Sequence, residues 1–301
     1  MGFATKNILL GVAVAGTLVL SRLAYGVVTD ATSLIASGGT NELLDPGGAN
    51  LIKGTDNTNA GIIEVGDYLY GVSEYVRIVN VNYPAPGTAI GAGTSTSELT
   101  GVFLVEVLTK NPDGNGTYDF TFGPDTAKYA SVFGVAVPAG TVMTLYDDPR
   151  QDVTLGGSVA ASLATAMDGT LAGHLGFTGP GGTAAGGEGW ASAFPSSDDF
   201  GILPSEPTTF TIGTTNFAIS RTDTEGFFGA LPLAPLVSGF GAPLSTAECT
   251  GFSEFEGSLG SGDAWDGLSR TSLSFAVAAP EPASLSLLAL GGLGLLVRRR
   301  R

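Results

Sequence analysis

The residues best spaced for chemistry lie between positions 111 and 116. Asn111, Asp113, Asn115 and Gly116 take positions 1, 3, 5 and 6 of a twelve-residue calcium-binding loop, in which alternate side chains turn oxygen atoms towards the ion. Position 12 falls on Phe122, where such a loop carries a bidentate Glu, and a strand pattern follows in place of a helix. The segment therefore predicts a weak, structural Ca²⁺ site or a plain hairpin turn.

Two groups of acids raise the question of glycoside hydrolysis, which needs a pair of carboxyl groups about 5 to 9 Å apart in a cleft. Asp147, Asp148 and Asp152 surround Pro149, while Asp198 and Asp199 follow two serines. Acids beside proline are also typical of solvated loops. The sequence favours loops and leaves open a catalytic pair assembled from distant strands.

Nucleophilic and zinc chemistry have few residues to work with. His174 is the single histidine and Cys249 the single cysteine, so a zinc site built from His and Cys is excluded. No Gly-x-Ser-x-Gly elbow occurs, and such an enzyme would also need His174 as its general base. We interpret His174 as an incidental polar residue and Cys249 as a small buried one, and we expect a protein that is not an enzyme and has no cofactor beyond the weak Ca²⁺ possibility.

Carbohydrate recognition would use exposed aromatic rings. Trp190 and Trp265 stand in Gly- and Ser-rich surroundings, and Asp263 and Asp266 flank Trp265. These rings are candidates for sugar stacking, with the alternative that both cap the core from loops.

The elements that must position these residues are mainly strands. Residues 102–109 and 117–122 predict a hairpin, because Tyr118, Phe120 and Phe122 alternate with polar residues. Residues 129–137 with 141–146, and 208–212 with 216–222, are interpreted as further hairpins, and residues 270–277 as the last strand. Residues 158–168 predict one short helix capped by Ser158, and residues 173–189, with eight glycines, a flexible loop or an internal boundary. The body is predicted to be an all-β sandwich or jelly roll.

The beginning of the chain is typical of a signal peptide. Lys6 precedes an apolar run at residues 8–20, and small residues at 24–26 suit cleavage after Gly26. The run is short for a membrane helix that is kept. We therefore expect residues 1–26 to be removed and residues 27–279 to form the exported domain.

The end of the chain has three parts in a fixed order. Pro280, Glu281 and Pro282 precede an apolar span at residues 283–297, which is followed by Arg298, Arg299, Arg300 and Arg301. As a transmembrane helix the span would rise about 22 Å, against a hydrocarbon core of about 30 Å, and the arginines would stay in the cytoplasm.

This order resembles the PEP-CTERM sorting tail of Gram-negative bacteria that make exopolysaccharide. The resemblance implies export, transient residence in the inner membrane, recognition of Pro280, Glu281 and Pro282 by an exosortase, and delivery to the cell surface or the extracellular matrix. Arg298 to Arg301 would be the cytoplasmic stop. Ala279 stands where the family often has valine.

The charge of the exported domain narrows its partners. Six of the 13 basic residues lie at the two ends, so residues 27–279 carry 27 acidic and seven basic side chains, a net charge of −20. This argues against nucleic acid and anionic lipid as partners. We expect a non-enzymatic structural or adhesion component linked to biofilm or extracellular polysaccharide, with a secreted carbohydrate-binding protein or glycoside-active enzyme as the alternative.

Overall fold

The computed structural model describes part of the chain. The described residues are 39–44, 50–55, 63–75, 77–80, 88–89, 98–114, 117–150, 152–153, 158–185, 187–195, 213–238, 245–257, 265 and 267–278. Residues 1–26, 208–212 and 279–301 lie outside them, so the structure describes neither the predicted signal peptide, nor one strand of a predicted hairpin, nor the tail.

The described part of the chain is dominated by strands. In chain order they are β1 (Gly39–Leu44), β2 (Asn50–Thr55), β3 (Tyr68–Tyr75), β4 (Arg77–Asn80), β5 (Thr88–Ala89), β6 (Glu98–Pro112), β7 (Thr117–Gly123), β8 (Thr141–Asp148), β9 (Thr170–Gly176), β10 (Gly189–Pro195), β11 (Gly213–Arg221), β12 (Leu233–Ala234), β13 (Leu236–Ser238), β14 (Ser245–Ala247), β15 (Cys249–Gly257) and β16 (Gly267–Val277). The helices are α1 (Thr126–Phe133), α2 (Val159–Ala166) and α3 (Gly226–Ala230), with one 3-10 turn at Pro180–Gly182.

The main sheet closes on itself. Antiparallel pairing runs β16, β2, β3, β6, β7, β10, β11 and β15, and β15 pairs with β16 to complete the ring. β8 takes the place of β7 beside the first part of β6, and β9 takes the place of β10 beside the end of β11. β1 and β4 extend the ring next to β16 in the same way. We call this ring the closed sheet.

Alternation along the strands separates two cores. Leu69, Phe103 and Phe217 point into the closed sheet, where they join the larger cluster of buried side chains. Their sequence neighbours point outwards, and Val102 and Leu104 belong to a second cluster. Successive residues of a strand face opposite sides, so a closed sheet needs an apolar interior and, wherever its outer face is apolar, a cover.

The first two helices provide that cover. Tyr129 and Phe133 of α1 and Ala166 of α2 are buried in the outer cluster together with Trp265. α1 begins at Asp125, whose carboxylate accepts from the backbone N–H of Lys128 at 2.9 Å. α2 begins at Ser158, whose hydroxyl accepts from the N–H of Ala161 at 3.2 Å. These caps satisfy N–H groups that have no partner within the helix.

The all-β prediction is confirmed, as are the hairpin of β6 and β7, the helix after Ser158 and the last strand. Most strands belong to one sheet that closes on itself, and β13 and β14 form a separate pair. The alternating pattern cannot distinguish this arrangement from a sandwich or jelly roll, because each buries one face of every strand. The prediction of a strand at 129–137 is wrong, since α1 occupies Thr126–Phe133. Gly213–Thr215, expected as a turn, begins β11, and part of the glycine-rich stretch is β9.

Within the described residues, none of the helices combines the length and the apolar character that crossing a membrane requires.

Two glycines with left-handed backbones give a matched test of the close contact between β8 and β9. At Gly140 (φ 87°) a Cβ atom would lie 1.9 Å from the carbonyl oxygen of Phe177, whereas at Gly134 (φ 71°) it would meet nothing within 4 Å. Gly134→Ala should lower the free energy of unfolding by about 1 to 2 kcal/mol, the cost of a left-handed alanine. Gly140→Ala should cost clearly more, because the backbone must also move. Urea unfolding measures both, and equal losses would contradict the contact.

Candidate functional site

The structure places the predicted calcium ligands at the tip of the β6 and β7 hairpin. Asn111 lies near the end of β6, Asp113 lies in the turn, and both are exposed, while Asn115 lies outside the described residues. Gly114 has the positive φ of 83° that a tight turn requires. The hairpin is confirmed, and the calcium site at this turn stays a prediction.

Both tryptophans are buried. Trp190 is 8% exposed and Trp265 is 2% exposed. Trp190 belongs to β10 and not to a loop, and its ring lies inside the closed sheet, stacked on Phe217 with 4.5 Å between centroids. Trp265 lies in the outer core and its indole N–H donates to Ser162 Oγ at 3.3 Å. Because both rings are buried, the structure favours the core alternative over sugar stacking, with the difference that Trp190 packs from a strand and not from a loop.

Cys249 is completely buried at the start of β15. Burial raises the pKa of its thiol, which keeps the thiol protonated and unreactive. Its place in the core agrees with the interpretation of a small apolar residue.

His174 is part of a buried hydrogen-bonded row beneath α1. Thr144 and His174 are direct partners on β8 and β9, and Thr144 Oγ1 lies 3.0 Å from His174 Nδ1. The hydroxyl of Tyr129 lies 2.8 Å from the same Thr144 oxygen and 3.0 Å from the carbonyl of Val102. On the other side of the ring, Nε2 lies 4.0 Å from an oxygen of Asp223.

The order of threonine, histidine and aspartate is that of a hydrolytic triad, but the burial differs from one. Thr144 has no exposed surface, and its hydroxyl is already engaged by both Tyr129 and His174. A nucleophile must reach its substrate, and the buried Thr144 hydroxyl does not. Its hydrogen bonds instead hold α1 against the sheet. Burial lowers the pKa of His174, more than the nearby Asp223 and Glu225 raise it, so the ring is neutral at pH 7.

Four acids and one arginine gather where the first residue of β6 meets the last of β8. Glu98 and Asp148 are direct cross-strand partners, only 3% and 1% exposed. Asp152 follows β8, and Asp168 follows α2. Glu98, Asp148 and Asp152 each offer a carboxylate oxygen, and these oxygens lie within 4.8 Å of one another. We call Glu98, Asp148, Asp152 and Asp168 the acid cluster.

Arg150 partly neutralises the acid cluster from the solvent side. Its guanidinium lies 3.5 Å from Asp148, 3.6 Å from Asp152 and 2.7 Å from Asp168, and its side chain is 60% exposed. The backbone N–H of Arg150 donates to Asp148 Oδ1 at 2.8 Å. The backbone N–H of Val153 donates to Glu98 Oε1 at 3.1 Å.

The surroundings shift the pKa values of the carboxyl groups in the acid cluster in different directions. Burial raises the pKa of Glu98 to about 7. A hydrogen bond with Asp148, together with burial, raises the pKa of Asp168. Burial also acts to raise the pKa of Asp148, but the bonds from Asp168 and from the N–H of Arg150 outweigh it and hold that pKa below its usual value. Of the hydrogen-bonded pair Asp148 and Asp168, Asp148 is therefore the ionised member.

Sequence reasoning found part of this cluster and missed the rest. Asp148 and Asp152 were expected in a solvated loop, whereas Asp148 ends a strand and is buried. Glu98 and Asp168 carried no sequence signal of their own, because only the register of β6 and β8 brings Glu98 beside Asp148. Asp198 and Asp199 lie outside the described residues.

The interior of the closed sheet holds a small cavity with about 20 Å³ of space for the centre of a water molecule. Its lining includes the aromatic rings of Phe103, Trp190 and Phe217. It also includes a row of hydroxyl side chains in direct register across β10, β11, β15 and β16: Ser192, Thr215, Ser253 and Thr271. Thr271 donates to Ser253 Oγ at 2.9 Å and Thr215 to the carbonyl of Ala191 at 3.0 Å. These two hydroxyls therefore donate to neighbouring strands of the closed sheet.

Comparison with known proteins identifies the tail. Residues 278–301 match the PEP-CTERM protein-sorting motif, which confirms the resemblance of Pro280, Glu281, Pro282 and the arginine block to that signal. The match supports export through an exosortase-type sorting system and processing of a membrane-anchored precursor. No curated protein and no solved structure matches the chain.

The neutral state of His174 has a consequence for stability. A histidine whose pKa is lower in the folded protein than its ordinary 6.5 contributes stability that is present above that value and lost as the pH falls below it. His174→Asn keeps an acceptor for Thr144 and removes the titration. Between pH 7 and pH 5 the wild type should lose more of its free energy of unfolding than the variant does, as measured by urea unfolding. Parallel losses would show that His174 does not titrate with folding.

Proposed function

We propose that residues 27–279 form a non-enzymatic structural or adhesion component of the cell surface or extracellular matrix, delivered there by the sorting tail. The observation that carries this proposal is the PEP-CTERM motif at residues 278–301. A protein delivered outside the cell without a disulfide needs a body that is stable by itself. The closed sheet with its two cores is a body of that kind.

Hydrogen bonds and ion pairs between the elements of the body support the proposal. Thr144, His174 and Tyr129 hold α1 on the sheet, as described above. Arg221 and Glu248 form a two-bond ion pair at 2.8 and 2.5 Å, and Arg221 also donates to the carbonyls of Gly229 and Leu231. These contacts join β11, α3 and the start of β15. In each case the polar atoms are engaged with the protein's own elements, as a structural role requires.

A net charge of −20 over residues 27–279 suits a matrix component, because it keeps the domain soluble and lets divalent cations join it to other acidic polymers. Acidic extracellular polysaccharide is the partner of this chemistry that we propose, with an exosortase-type enzyme as the processing partner.

A secreted glycoside-active enzyme is the second candidate, and one observation favours it. Asp148 and Asp168 are carboxyl groups whose pKa values are moved in opposite directions, as in an acid and base pair. Their mutual hydrogen bond sets them closer than the separation of about 5 to 9 Å found in glycosidases, which makes this the second candidate. Release of reducing ends from acidic or neutral polysaccharide, lost in Asp148→Asn and kept in Asp119→Asn, would establish the enzyme. Asp119 is an exposed acid of β7 and serves as the matched control. We expect no release from the wild type.

The delivery proposal is tested on the mature C-terminus. In the surface fraction, mass spectrometry should recover peptides up to β16 and none that contain Arg298, because processing removes the tail. The double variant Pro280→Ala, Pro282→Ala should accumulate in the membrane fraction with Arg298 retained. Ser286→Ala, within the apolar span, is the control and should be processed normally. Surface protein that keeps Arg298 would overturn processing while leaving the structural role of the body to be tested by adhesion.

A further inference from the structure

The buried carboxylate of Asp148 has too few hydrogen-bond donors for its two oxygens. Its side chain is 2% exposed. Oδ1 accepts from the N–H of Arg150, but Oδ2 is buried and has no hydrogen-bond donor while Asp168 is ionised. A buried carboxylate oxygen without a partner is costly. The neighbouring carboxyl of Asp168 can bond to Asp148 only while one of the two carries a proton.

The charge around Asp148 is also unbalanced. The four carboxylates of the acid cluster and the single guanidinium of Arg150 leave a net charge of −3 when all are ionised. Arg150 approaches from solvent and its guanidinium lies at least 3.5 Å from Asp148 and from Asp152, which is longer than a close ion pair. A second positive charge would be attracted to the buried side of the cluster.

The spacing of the oxygens fits one ion. Two ligands that each lie about 2.4 Å from Ca²⁺ are at most about 4.8 Å apart, and oxygens from Glu98, Asp148 and Asp152 lie within 4.8 Å of one another. Carboxylate oxygens are the ligands that hard divalent cations prefer. Ca²⁺ tolerates irregular geometry, whereas Mg²⁺ demands a near-ideal octahedron and keeps several waters.

We infer that Glu98, Asp148 and Asp152 form a Ca²⁺ site that locks the start of β6 to the end of β8, with Asp168 beside it and Arg150 as the competing cation. This site is separate from the turn at Asn111 and Asp113. It does not depend on the proposed function.

The test is thermal unfolding of the full chain in detergent, followed by the fluorescence of the buried Trp190 and Trp265, in EDTA, in Ca²⁺ and in Mg²⁺. Ca²⁺ at about ten times its dissociation constant should raise Tm by about 3 to 6 °C, and Mg²⁺ should raise it less. Asp148→Asn should raise the dissociation constant for Ca²⁺ about tenfold or more, since it removes a charged ligand. Asp119→Asn, an exposed acid of β7 outside both candidate sites, is the matched control and should respond as the wild type does. Asp113→Asn tests whether the turn gives the response.

Arg150→Gln keeps the inference testable if Asp148→Asn does not fold. Without the guanidinium the acids repel each other, so the variant should be less stable than the wild type in EDTA and gain more from Ca²⁺. A purely structural ion-pair network would instead lose the same stability in both conditions. The inference is overturned if Ca²⁺ leaves Tm unchanged in the wild type and in Arg150→Gln, or if Asp113→Asn and not Asp148→Asn removes the response.

Discussion

Closure of the main sheet through β15 is the constraint on which the rest of the structure depends. β15 pairs with β11 on one side and with β16 on the other, so the ring has no free edge where it is complete. The single cysteine, Cys249, is buried, and no intrachain disulfide can form. Cohesion therefore comes from the backbone ladder and from the side chains packed on its two faces. Close backbone contacts, such as that of Gly140 with Phe177, are part of this tight packing.

Strand register decides which polar residues meet. One pair of partners, Glu98 and Asp148, creates the acid cluster, and another, Thr144 and His174, creates the row beneath α1. A shift of one residue would turn each of these side chains to the opposite face. Thr144, His174 and Tyr129 bond to one another, whereas Asp148 Oδ2 has no hydrogen-bond donor while Asp168 is ionised. This difference favours an ion at the acid cluster.

Local patterns in the sequence were enough for some of these elements. The alternating aromatics of β7 and the Ser158 cap of α2 are short-range signals, and both elements form as predicted. The segment of α1 was misread as a strand because Tyr129, Val132 and Val135 are β-formers. The cap residue Asp125 is the signal in the sequence that indicates a helix. The acid cluster could not be predicted in full, because Glu98 and Asp168 reach Asp148 only through long-range pairing. The tail was identified because its signal is contiguous. The place of Trp190 in a strand was missed because glycines around a strand resemble a loop.

The last strand leads directly into the sorting tail, and this gives it a mechanical role. β16 ends at Val277, and Ala278 still donates to the carbonyl of Pro232 at 2.8 Å. While the precursor is anchored, any pull on the tail runs along β16. That strand is bonded to β15 on one side and to β1 and β2 on the other, so a force along the strand would load many hydrogen bonds at once.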